Sequence, residues 1–159
     1  MRTLFVIAVF LAPVPALAQG PCLTTASSDH RQFIPPAPYT AVLERGMFWF
    51  GSEKLWTALR EDAHWGGAYR ADLKVYRNKL PLYRVGFDSR RESDPAVVVT
   101  ARRVGQPATV GAILADPAHG VSDGTNSFIM TALDLPVGCW QINAQYANES
   151  PLIFVVSAP

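Results

Sequence analysis

His30, His64 and His119 are the only histidines of the chain, and all three fall in segments whose composition reads as loop. Hydrolysis through a serine or cysteine would need one of these imidazoles beside the nucleophile, oriented in turn by an acid. No serine occupies a Gly-x-Ser-x-Gly elbow between a strand and a helix, so no catalytic residue is assigned. Glu53, Glu61 and Asp62 could be paired for glycoside chemistry. Any pair picked from 13 acids would be arbitrary, however. Asp116, His119, Asp123 and Asn126 bunch oxygen and imidazole ligands in one Gly-rich stretch. They lack the EF-hand spacing, the chain has no His-Glu-x-x-His, and Asp and Asn are the usual residues of turns. The stretch reads as a solvated loop, with no metal and no cofactor assigned. Gly66-Gly67 and Gly105 have neither the spacing nor the following helix of a phosphate loop.

Aromatic side chains carry the stronger signal. Trp49, Trp56, Trp65 and Trp140, with Tyr69, Tyr76 and Tyr83, supply large amphipathic rings that could line a sugar- or peptide-binding surface. Trp49 and Trp56 lie in apolar stretches and Trp140 has core parity, so packing accounts for those three. Trp65 and Tyr69 flank Gly66-Gly67 in a loop, and they form the candidate ligand surface, expected exposed and coplanar. Asn148-Glu149-Ser150 fits a glycosylation sequon, but with Pro151 following it marks only an exposed turn.

Residues 1–18 have the layout of a secretory signal peptide: Arg2, an apolar run from Leu4 to Val14, and Ala16-Leu17-Ala18 as the cleavage site. The apolar run is shorter than a bilayer span requires. Periplasmic or extracellular localisation follows, with no transmembrane segment after processing. Gly20 and Pro21 before Cys22 do not resemble a lipobox. In an oxidising compartment Cys22 and Cys139 are expected to close a structural disulfide. The remaining chain of about 141 residues is enough for one domain with a real core. The whole chain has 14 basic and 13 acidic residues, and losing Arg2 would balance them. That neutrality offers no electrostatic attraction to nucleic acid or to an anionic membrane.

The elements that must position these residues are strands. Trp140, Ile142, Ala144 and Tyr146 alternate with Cys139, Gln141, Asn143 and Gln145, which is the pattern of a half-buried strand. The tryptophan parity faces the core and Cys139 faces out. After a turn over Ala147–Pro151, Leu152–Val156 runs almost wholly apolar, as a strand covered on both sides or lying near the core centre would. Val97–Val99 mark the clearest interior strand, within Ala96–Val104. Further strands are expected over Asp72–Arg77, Leu80–Phe87, Ala108–Leu114 and Ser127–Leu133. Pro81 restricts the second of these to an edge or a strand start. Asp116–Asn126 and Asp134–Gly138 are read as connections. Met47–Arg60 fits either a short helix capped by Ser52 or two strands. The Phe-Trp-Phe run favours strands, with Gly46 and Gly51 at a turn and a bulge or bend. Gln19–Pro38 is irregular, and Tyr39–Leu43 is a candidate edge strand.

Seven to nine short strands with turn signals between them indicate an all-β antiparallel sandwich rather than βαβ units. The expected organisation is a signal peptide over 1–18, an irregular tethered lead over 19–45, and a sandwich domain over 46–159.

Leu135-Pro136-Val137-Gly138-Cys139-Trp140-Gln141-Ile142, Tyr146 and Leu152-Ile153-Phe154-Val155-Val156 resemble the closing segment of a group of uncharacterised exported bacterial proteins with an immunoglobulin-like β-sandwich. Gly51-Ser52-Glu53-Lys54-Leu55-Trp56 resembles an earlier Gly-Ser-x-x-Leu-Trp segment of the same group. The resemblance implies fold and export, and brings no activity, cofactor or partner. The leading functional expectation is a non-enzymatic exported domain serving protein recognition or envelope structure, with another envelope protein as partner. The alternative is a carbohydrate-binding module that meets a glycan through Trp65 and Tyr69; a hydrolase or metal-binding protein ranks below both.

Overall fold

The computed structural model describes residues 21–26, 33–39, 43–107 and 109–159. The expected signal peptide, His30 and residues 40–42 lie outside these. Within the described residues the protein is an all-β antiparallel sandwich of ten strands, more than the seven to nine expected. They are β1 (Met47–Ser52), β2 (Leu55–Arg60), β3 (Ala68–Arg70), β4 (Val75–Leu82), β5 (Val97–Arg103), β6 (Ile113–Leu114), β7 (His119–Ser122), β8 (Ser127–Pro136), β9 (Gly138–Tyr146) and β10 (Leu152–Ala158). No helix among the described residues is long and apolar enough to cross a membrane.

One four-stranded sheet has the order β10-β9-β5-β6 and the other β3-β4-β8-β7, while β1 and β2 form a separate hairpin. Strand alternation fills the space between the layers. Trp140, Ile142 and Ala144 of β9 turn inward with Val99 and Ala101 of β5 and Phe154 and Val156 of β10. Leu80 and Leu82 of β4, with Ile129, Leu133 and Leu135 of β8, close the opposite side. Burying each valine, leucine, isoleucine or phenylalanine among them contributes about 1.5–3 kcal/mol. Trp140 keeps its indole N–H satisfied by donating to the Pro136 carbonyl at 2.8 Å.

Cys139 has the other parity, and its bond to Cys22 closes a loop of 117 residues with the Cα atoms 5.5 Å apart. The tether lays the lead on the edge of the sheet. Thr25 donates its N–H to the Val155 carbonyl, and its Oγ1 accepts the Val155 N–H, both at 2.9 Å. Farther along, Phe33 and Tyr39 pack against the fully buried Trp56, with ring centroids 5.6 and 5.2 Å away. Tyr39 itself is outside any strand.

Several expected boundaries move. Met47–Arg60 forms two strands as expected, but the chain reverses at Glu53–Lys54 and Gly51 lies within β1 opposite Trp56. A Cβ on Gly51 would run into the Leu55 carbonyl and the Trp56 backbone. The runs expected over Asp72–Arg77 and Leu80–Phe87 become the single strand β4, because β8 pairs with it without interruption from Val75↔Pro136 to Leu82↔Ile129. Of the strand expected over Ala108–Leu114, whose first residue lies outside the described ones, β6 pairs with β5 at two residues. Asp116–Asn126, read as a loop, contains β7, which pairs His119–Ser122 with β8. β8 also runs on through Asp134 to Pro136, so the next reversal is a tight one at Val137–Gly138. Leu152–Val156 alternates instead of being covered on both faces: β10 is an edge strand, and Ile153 is 46% exposed.

Candidate binding groove

β4 meets two strands in succession along one edge. Ala68 and Arg70 of β3 pair with Arg77 and Val75 at its start. Beyond its end, Trp56 of β2 exchanges both main-chain hydrogen bonds with Tyr83, at 2.9 and 2.8 Å. Between these contacts stands Pro81, which has no N–H to offer. The buried Thr57 hydroxyl donates to the Pro81 carbonyl at 2.7 Å, so the polar groups of Pro81 face β2 and the ladder to β8 loses nothing.

Antiparallel pairing alternates the direction of main-chain groups. Because Trp56 faces β4, so does Ala58; because Pro81 and Tyr83 face β2, so does Lys79. No ladder joins β2 to β4 here, so the N–H and C=O of Ala58 and of Lys79 are turned toward the gap between the two strands. The strands part here, leaving a groove of about 300 Å³ that runs from the surface to the core. Met47, Leu59, Leu80, Pro81 and Val156 line it with apolar surface, Ala63–Gly67 form a wall, and Arg60, His64, Asn78 and Lys79 bring polar groups.

The wall is held by its own backbone. Ser157 donates to the Ala63 carbonyl at 3.0 Å and accepts from the Trp65 N–H at 2.8 Å, which fastens the segment to β10. Gly67 has φ +128°, and a Cβ there would collide with the Arg77 carbonyl. Only glycine brings the wall this close to β4. Gly66 carries no such restriction, its nearest neighbour being the His64 ring.

The expected ligand surface of Trp65 and Tyr69 is corrected. Trp65 is 4% exposed and belongs to the core, because its main-chain bond to β10 draws the ring beneath the sheet edge. Its indole nitrogen is buried without a partner among the described residues, and the residue borders the groove from below. Tyr69 is 53% exposed on β3 and rests against Tyr76, the centroids 4.9 Å apart and the rings inclined by 44°. The two residues share no coplanar platform.

No protein-family model, curated protein or solved structure matches the chain.

The charged candidates serve local structure. Asp62 takes the Arg60 guanidinium at two points, each 3.0 Å, and accepts the His64 N–H at 3.0 Å. The hydrogen bond from Arg60, then that from His64, hold its carboxyl at about 2, below the ordinary carboxylate value. Glu53 and Glu61 are exposed at the two ends of β2. Asp116 pairs with Arg77, which also reaches Asp134 at 3.0 Å. The Asp123 carboxylate accepts from the Asn126 N–H and then the Thr125 N–H, which lowers its pKa. His119 is exposed on β7. No three His, Cys, Asp or Glu side chains among the described residues are grouped to hold a metal. The sequon turn is occupied too: Glu149 accepts from Arg84 at 3.2 Å.

Ala58, Lys79 and Leu80 were not singled out from the sequence. The available signal was Pro81 inside a run that otherwise reads as strand, next to a double glycine elsewhere in the chain. Together these mark where a sheet edge must open.

Proposed function

We propose that this chain is an exported, non-enzymatic recognition domain that binds a segment of a partner protein in the groove between β2 and β4. One observation carries the reading: two strand edges that no ladder joins turn main-chain donors and acceptors toward each other over an apolar floor. Strand edges with open hydrogen-bonding groups bind extended peptide, and apolar pockets beside them select side chains. The cost of leaving such groups unpaired, about 1–3 kcal/mol each once water is excluded, is relieved by a bound peptide group. The Cys22–Cys139 bond and the leader-like start support an extracytoplasmic place of action. The glycan alternative retains Tyr69 alone of its two aromatic residues, so peptide is the better-supported ligand.

Selection from a displayed library of random peptides tests the reading. Peptides that bind the native domain and lose binding to Gly66→Leu, which adds a side chain to the groove wall at a position with room for a Cβ, are the expected result. Selected peptides that bind both proteins equally would remove the groove from the function.

A further inference from the structure

We infer that the groove takes the C-terminal residue of a partner protein, an apolar side chain carrying a free α-carboxylate. The inference rests on the recognition reading above and adds the chemistry of the ligand.

Size comes first. About 300 Å³ is at the lower limit of small-ligand sites, room for one side chain with its adjoining peptide group. β3 closes the gap at one end, where Ala68 pairs with Arg77, and the Trp56–Tyr83 bridge closes it at the other. A strand running straight through would meet both barriers, whereas a chain end need only enter from the open face.

Polarity comes next. Ala58 on one wall and Lys79 on the other each turn an N–H and a C=O toward a gap that no strand ladder bridges. These suit the last peptide group of an entering chain. The floor of Leu59, Leu80 and Val156 suits an aliphatic side chain. The Trp65 indole N–H beside it is buried and has no partner among the described residues.

Charge selects the terminus. Arg60 and Lys79 are the groove's permanent cations. Arg60 is already neutralised by Asp62 in a two-point pair at 3.0 Å. Lys79 is exposed and has no ion-pair partner among the described residues. A lysine at the rim of an apolar groove, with main-chain donors facing the gap, complements a carboxylate held on the same α-carbon as an apolar side chain.

The test is titration of the full ¹⁵N-labelled chain with an acetylated pentapeptide of four alanines and a C-terminal leucine, as free acid and as amide. N-acetyl-leucine is run beside them. The free-acid pentapeptide is expected to move the amide signals of Ala58, Gly66 and Lys79 and the Trp65 indole signal. It should bind at least five-fold more tightly than the amide. Lys79→Gln should erase that preference while leaving the spectrum folded, and Gly66→Leu should abolish both. Equal affinity for acid and amide at these same residues would overturn the carboxylate inference and leave peptide recognition standing. N-acetyl-leucine binding as tightly as the pentapeptide acid would overturn the protein terminus in favour of a small acid. No change at these signals with any probe would overturn the inference, and the library selection then decides the recognition reading by itself.

Discussion

The guanidinium carbon of Arg84 lies 3.8 Å from the centre of the Tyr146 ring. This contact joins the connection after β4 to the end of β9, and Arg84 extends it to Glu149 at 3.2 Å. Arg84→Ala removes the cation and leaves the half-buried Glu149 carboxylate without it. The expected loss is about 1–3 kcal/mol of unfolding free energy, measured by urea denaturation. Crossed with Tyr146→Leu in a double-mutant cycle, it should give a coupling of about 0.5–1 kcal/mol. Strict additivity would show that the stacking is energetically idle.

Tyr146 also donates its hydroxyl to Glu92 at 2.6 Å. Burial first, and then the hydrogen bond and charge of Glu92, raise its pKa. A folded pKa above the unfolded value means that this stability is complete below pH about 10 and is lost as pH climbs through the folded pKa. Tyr146→Phe should therefore weaken the protein near neutrality and flatten the alkaline limb of its stability profile. Phenolate absorbance near 295 nm should show the missing tyrosine to be a late-titrating one.

Asp62 sets an effect of opposite sign. Its carboxyl stands at about 2 against an ordinary value of 3.8, so its contribution is present above that ordinary value and disappears as pH falls through the folded one. NMR titration of the side-chain carboxyl carbon should give a midpoint near the lower value, and Arg60→Gln should move it upward. No energy is attached to the pair, since both side chains are more than half exposed and water screens them.

Loss of the Cys22–Cys139 bond should cost about 2–5 kcal/mol, the range for closing a long loop. The double variant Cys22→Ala/Cys139→Ala should unfold at lower urea and exchange its Val155 amide faster, because the Thr25 contact depends on the tether. Unchanged exchange at Val155 would mean that the lead holds itself in place.

Two adjacent glycines give a sharp contrast. Gly67→Ala should destabilise by about 1–3 kcal/mol, since φ +128° and the Arg77 carbonyl both oppose a Cβ. Gly66→Ala should remain within about 0.5 kcal/mol of the native protein. Equal costs would contradict the close approach of the wall to β4.

Much of the sandwich is legible because alternation is local. The parity of Trp140, Ile142 and Ala144 against Cys139 states which face is buried without reference to any other strand, and the disulfide is consistent with it. Boundaries were less legible. Asn78 and Lys79 look like a break in the sequence, yet β8 carries the ladder across them, since backbone pairing does not depend on side-chain polarity. Ala108–Leu114 has the composition of a strand but, among its described residues, pairs with β5 at two positions.

The sequence by itself determined the two-layer β architecture, the inward parity of the C-terminal aromatics and the pairing of its two cysteines. Tertiary structure alone decided that Trp65 is a core residue and that β2 and β4 part between Thr57 and Lys79. Both outcomes follow from long-range hydrogen bonds, Trp65 to Ser157 and Trp56 to Tyr83. Local composition can state which residues prefer a strand, but which edge remains open is settled by what the distant chain places beside it.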